Sequence, residues 1–214
     1  MTRLAAALVV TLITLAPVAQ AQFSMPSLPG VGGKAAGSGD LSGSQDALVK
    51  QYVDANKTVL QANAQIADAV GLKDEAATMR ASSESLTDGA TKGNLADADK
   101  VTSENSKKLT AKLNDSTTVL DAEGKKKFTA GLVTMASGMV KYVAMKPNFQ
   151  SFSSSLKGAS PMMLPKLQNG VYVVSSLPGN AKNLGSALSN AVSFAKSHDI
   201  TVPKEATSAL GAGF

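Results

Sequence analysis

The chain of 214 residues has no cysteine and no tryptophan, which excludes disulfide staples, thiolate metal centres and cysteine nucleophiles. Its net charge of +5 is unevenly divided. Residues 22–124 hold 10 basic and 14 acidic side chains, whereas residues 125–214 hold 10 basic and only 2 acidic ones, Asp199 and Glu205. Such asymmetry implies either that the two halves attract each other or that one face meets an anionic surface.

Met1-Thr2-Arg3 is a basic start, Leu4 to Val18 is apolar, and Ala19-Gln20-Ala21 has the small-x-small pattern of a cleavage site. Residues 1–21 are therefore expected to be a signal peptide cut before Gln22, placing the protein in the periplasm or outside a bacterial cell. No later stretch is expected to span a bilayer. Residues 22–43 contain six glycines and two prolines without an apolar period, and are expected to form a flexible tether. Within them "GVGGKA" fails as a phosphate-binding loop, because Leu28 replaces its first glycine and Ala35 its Ser/Thr.

Residues 44–214 are expected to form the folded domain. Leu48, Tyr52, Ala55, Val59, Ala62, Ile66 and Ala69 recur at steps of four and three, predicting a helix stopped by Gly71. A second stripe, Leu72, Ala76, Met79, Ser83 and Leu86, ends near Gly89. A third helix is expected to be capped by Asn94 and to carry Leu95, Ala98, Val101, Asn105 and Leu109, a polar stripe that implies weak anchorage or curvature. Asp121 caps a fourth, with Phe128, Leu132, Met135, Met139 and Tyr142 in period and a break at Pro147.

Ser160-Pro161 is expected to open a fifth helix, with Leu164, Leu167, Val171 and Val174 on its buried side. "SLPGN" at 176–180 should end it and start a sixth, with Ala181, Leu184, Leu188, Ala191 and Phe194. "GVYVVSSL" is β-branched, but no second strand is available to pair with it. The fold predicted is all-α, a single antiparallel helical bundle of five to six helices.

Lys125-Lys126-Lys127 stands at a helix start, where the dipole opposes cations. Successive positions differ by about 100°, so the three lysines fan around the helix. With Lys107, Lys108 and Lys112 they form a basic pole, read either as a solvated tip or as a contact for an anionic envelope component or an acidic protein. No aromatic residues interleave with these lysines, which argues against nucleic acid.

Met135, Met139, Met145, Met162 and Met163 cluster in sequence around Pro147 and suggest either core packing or an apolar groove for a lipid-like ligand. Ser154 with Lys157, and Ser193 with Lys196, both read S-x-x-K, without the partner motifs that an acyl-serine enzyme needs. His198 beside Asp199 reads as a polar helix-end group, and no His/Asp/Glu spacing suggests a metal. The leading expectation is an exported, non-enzymatic binding or interaction protein without a cofactor, and the rivals are the methionine-lined carrier and a serine hydrolase.

Overall fold

The structure, a computed structural model, describes residues 38–212. The expected signal peptide, and residues 22–37 of the expected tether, lie outside the described residues. Helix α1, Ser38–Ala69, begins inside the glycine-rich stretch, with Leu41 already buried. It is followed by α2 (Lys73–Ser85), α3 (Lys92–Leu113), α4 (Ala122–Ala144), α5 (Lys146–Leu156), a 3-10 turn (Leu164–Leu167), α6 (Gln168–Ser197) and α7 (Lys204–Ala212). Among the described residues there is no strand.

Local chemistry accounts for most boundaries. Gly71 adopts φ +85°, and the Leu72 and Gly71 amides return to the carbonyls of Ala67 (2.8 Å) and Asp68 (3.3 Å), closing α1 in a Schellman motif. Asp121 accepts from the Gly124 amide at 2.7 Å and caps α4. The cap of α3 is Thr91 rather than Asn94. Asn94 occupies the third helical position, and its side chain bonds back to the Thr91 amide at 3.0 Å in a capping box.

Two expectations about the last third are corrected. Ser160-Pro161 opens a turn and the 3-10 segment, and α6 starts only at Gln168, turning Leu164 and Val171 outward. "SLPGN" does not interrupt α6, which runs through Pro178. Pro178 and Gly179 face solvent, while Val173, Leu177, Ala181, Leu184 and Leu188 continue one buried stripe across them. That continuous burial outweighs the roughly 3 kcal/mol that an interior proline costs.

Helix α1 is the axis of the bundle. Its Asn56 and Gln65 meet Tyr142 and Thr134 of α4, and its Gln51 meets Asn148 of α5, so α4 and α5 follow one antiparallel track along it. The Met145 backbone between them stays in the right-handed helical region. Helix α2 is also antiparallel to α1, through Arg80 to Asp68 and Ser83 to Lys57. Helices α3 and α6 run parallel to α1, as shown by Tyr52–Asp99, Asn63–Ser106, Gln45–Gly170 and Tyr52–Asn180. The long helices thus alternate in direction along the chain, as short connections require.

The α1–α4 seam is unusually close. A Cβ at Gly131 would lie 2.5 Å from Ile66 Cγ1, and one at Gly138 2.9 Å from Val59 Cγ2. Glycines seven residues apart lie nearly on one helix face and let two backbones approach. Residues Ala122–Leu156 are long and apolar enough to cross a membrane by length and composition, contrary to expectation, with a mean hydropathy of 1.2 over the best window. Half of that window is buried inside the bundle, where α4 packs on α1, α6 and α7.

Candidate functional site

A cavity of about 370 Å³ opens between the parallel helices α1, α3 and α6. Its lining follows helical spacing. Asn56, Val59 and Asn63 form one face of α1; Asp99, Thr102, Ser103, Ser106 and Thr110 form one face of α3. Asn180, Asn183, Leu184, Ala187 and Asn190 line it from α6, and Tyr142 of α4 closes it. The polar residues of α3 therefore include one wall of this cavity, whose lining surface is mainly apolar.

At one end of the cavity a buried network gathers all three tyrosines of the chain. Tyr52 and Tyr172 each donate to Asp99 Oδ2 at 2.6 Å, and Asn180 Nδ2 donates to the Tyr52 hydroxyl at 2.5 Å. Tyr142 donates to Asn56 Oδ1 at 2.7 Å. Further along the groove Asn63 Nδ2 donates to Ser106 Oγ at 3.4 Å.

The electrostatics follow from burial. Desolvation pushes the Asp99 carboxyl up from its ordinary value, against the opposing hydrogen bonds from Tyr172 and Tyr52. Burial also raises Tyr52 and Tyr142 far above an ordinary phenol, with the neighbouring Asp99 charge adding to both. Tyr172 is raised to about 12 by burial and by its bond to Asp99.

Among the described residues three buried side-chain polar atoms lack a protein partner: Asn56 Nδ2, Asn63 Oδ1 and Asp99 Oδ1. All three belong to residues lining this cavity. Asn56 and Asn63 are each only 1% exposed. A buried polar group without a partner costs about 1–3 kcal/mol, and all three atoms are closed to solvent. The set presents one donor and two acceptors, one of them carboxylate oxygen. Among the described residues no group of three or more His, Asp or Glu could hold a metal ion.

The residues singled out from sequence lie elsewhere. Lys108 pairs with Glu75 at 3.0 Å, Lys112 with Asp115 at 3.5 Å and Lys127 with Glu123 at 2.9 Å. Half of the expected anion-contacting set is thus engaged with carboxylates of the chain itself. Lys125 is half-buried and Lys126 exposed, whereas Lys107 stands at the rim of the polar cavity. Met135, Met139 and Met145 are buried in the core, Met163 packs at its edge, and Met162 is 85% exposed. Met162 falls in the turn before α6.

Ser154 is exposed, and the Ser193 hydroxyl donates to the Ser189 carbonyl at 2.9 Å. His198 stacks on Phe194 with ring centroids 3.9 Å apart, and its Nδ1 lies 2.9 Å from the Phe194 carbonyl oxygen. It is a helix-end group.

Sequence reasoning missed Asn56, Asn63, Asp99, Asn180, Asn183 and Asn190. Their signal was present as asparagines at helical spacing beside apolar stripes, on α1 and again on α6. Compared with known proteins, the chain matches no protein-family model, no curated protein and no solved structure.

Proposed function

We propose that this chain is an exported, non-enzymatic binding protein that holds a small polar molecule between α1, α3 and α6. The observation that carries the reading is a cavity of about 370 Å³ whose wall is built from three helices, with Asp99, Thr102 and Ser106 of α3 facing Asn180, Asn183 and Asn190 of α6. Export is supported by the leader-like residues 1–21. The binding role is supported by a cavity within the size range of small-molecule sites, and by the placing of its polar groups on rigid helices rather than loops. Native mass spectrometry of the protein purified from its own host tests it. The expected result is a bound small molecule, lost on denaturation. The bare chain mass alone, together with no thermal shift from any polar small molecule, overturns it.

A second reading is contact with an anionic envelope component or an acidic protein through the basic C-terminal half. It is favoured by residues 125–198, which hold nine lysines and no carboxylate side chain. Such contact would be screened by salt over about 8 Å at physiological ionic strength, so its signature is retention on anionic vesicles that salt abolishes.

A further inference from the structure

The connection from α5 to α6 carries apolar side chains where it meets water. From Lys157 to Lys166 it reads KGASPMMLPK, with a lysine at each end and no carboxylate. Met162 is 85% exposed and Leu164 43%, with Pro161 and Pro165 exposed beside them. A single exposed apolar side chain is ordinary. Here three of the seven large ones among the described residues, Met162, Leu164 and Val171, fall within ten positions. Such a concentration points to an interaction surface.

The connection is held in place from beneath. Leu167 is fully buried, and Ala159 and Met163 pack against the core. The Met163 amide donates to the Ser160 carbonyl at 2.8 Å, and the Lys166 amide to the Met163 carbonyl at 2.9 Å. Gln45 of α1 donates to the Lys166 carbonyl at 3.3 Å, and the two prolines fix their own φ. Neighbours thus pin the backbone while Met162 and Leu164 stand clear of the core. An apolar tip ordered in advance loses little conformational freedom when it docks.

Charge selects the partner. Lys157 and Lys166 are exposed, and so is Lys92, whose amide bonds to the Asn169 side chain at 2.8 Å. Asp88, in the loop before α3, is paired with Lys50 at 3.2 Å. Asp46 of α1, next to Gln45, is exposed and offsets one of the three lysines. Apolar side chains flanked by lysines suit the headgroup region of an anionic bilayer. The apolar groups enter the acyl boundary, and the lysine stems follow them with their ammonium groups at the phosphates. An anionic polymer in water would satisfy the lysines and leave Met162 exposed.

We infer that the α5–α6 connection is a membrane-docking tip: Met162 and Leu164 enter the interface of an anionic bilayer, and Lys157 and Lys166 contact its phosphate groups. This goes beyond both readings above. The tip and the lysine run at 125–127 stand at opposite ends of α1. Lys166 bonds to Gln45, whereas a Cβ at Gly124 would lie 3.3 Å from the Ala69 carbonyl oxygen. Gln45 and Ala69 are about 36 Å apart along the helix at about 1.5 Å per residue.

Met162→Trp places the chain's only tryptophan at the tip. In the chain from Gln22, its emission should move to shorter wavelength and resist acrylamide quenching when phosphatidylglycerol vesicles are added. In cosedimentation with those vesicles, Met162→Ser should lower the partition coefficient about tenfold. Lys157→Gln and Lys166→Gln should each lower it about fivefold, and phosphatidylcholine vesicles should bind about tenfold more weakly or worse. Val119, 87% exposed between α3 and α4, is the control, and Val119→Ser should leave the partition unchanged. Salt should weaken the binding without abolishing it, because the apolar part is not screened. Circular dichroism checks that each variant is folded.

Unshifted emission from Met162→Trp in a protein that vesicles still retain overturns the tip and leaves the second reading standing. Full retention of Met162→Ser does the same. Equal partition into phosphatidylcholine overturns the assignment to anionic lipid. Self-association that Met162→Ser abolishes, without vesicle binding, also overturns it and makes the connection a contact between copies. No retention on any vesicle removes the tip and the lipid form of the second reading together, and the cavity reading keeps its own test by native mass spectrometry.

Discussion

Tyr142 of α4 fixes the orientation of Asn56 on α1: its hydroxyl donates to Asn56 Oδ1 at 2.7 Å, and the amide nitrogen is thereby left without a protein partner in a residue that lines the cavity. Both side chains are about 1% exposed, so neither has water as an easy substitute. Tyr142→Phe removes the donor and keeps the shape. We expect a loss of about 1–3 kcal/mol, the cost of a stranded buried acceptor, measured as a lower urea midpoint at unchanged slope. Undiminished stability would mean that Asn56 turns over and satisfies itself.

Asp99 makes a pH-dependent contribution whose sign is opposite to that of a salt-bridged carboxylate. Burial raises its folded value above the ordinary one, so in the interval between them the folded state binds the proton that the unfolded chain has lost. Stability from this group is therefore greatest below the unfolded value of about 3.9 and falls as pH rises through the raised folded value. Asp99→Asn abolishes the effect. Denaturation of both proteins from pH 4 to 8 should show the difference moving in favour of the variant as pH rises, then levelling. Glu75 and Asp115, whose values are lowered by Lys108 and Thr117, tilt both proteins equally and cancel in the difference. A gap that widens the other way would contradict the account.

Two glycines in helix interiors should respond in opposite directions to alanine. At Gly131 the new Cβ would sit 2.5 Å from Ile66 Cγ1 and 3.2 Å from the Ile66 backbone nitrogen. The expected cost is about 1–3 kcal/mol of overpacking, more than the helix-propensity gain of about 1 kcal/mol. Gly179 has open space around its Cβ position, so Gly179→Ala should stabilise by about 0.5–1 kcal/mol. Thermal melts of the two variants decide it.

Replacing Lys125, Lys126 and Lys127 with glutamine should leave the thermal midpoint nearly unchanged, because exposed pairs such as Lys127–Glu123 contribute little and the cations oppose the helix dipole. If the second reading holds, the triple variant also loses retention on anionic vesicles at low salt. Equal retention of the two proteins would make this lysine run a solvated helix entrance.

What could be read from the sequence follows the range of the interactions involved. The Gly71 stop, the Asp121 cap and the Leu48–Ala69 stripe are set by neighbours within a turn or two, and each is where the spacing placed it. Pro178 defeats the expectation because the rule that proline ends helices is local, whereas Leu177 and Ala181 are held by contacts from across the bundle. Asn94 differs within a local rule, since Thr91 three residues earlier takes the cap and Asn94 completes the box.

The site was not legible for a different reason. Asn56, Asp99 and Asn180 stand on three helices far apart in the chain, and each alone resembles an ordinary polar interruption. Only the parallel packing of α1, α3 and α6 turns three scattered residues into one wall.

The gathering of Tyr52, Tyr142 and Tyr172 at one end of the cavity has a practical consequence. The chain has no tryptophan and no other tyrosine, so nearly all of its near-ultraviolet absorption and emission originates within one small neighbourhood. Phenol spectra respond to hydrogen bonding, so a rearrangement of this network is reported without any attached dye. Alkali gives a second signal. Ordinary phenols ionise near pH 10, whereas Tyr172 is raised to about 12 and the other two higher still. Phenolate absorbance arriving early, at about pH 10, would therefore mark the moment at which this corner of the molecule comes apart.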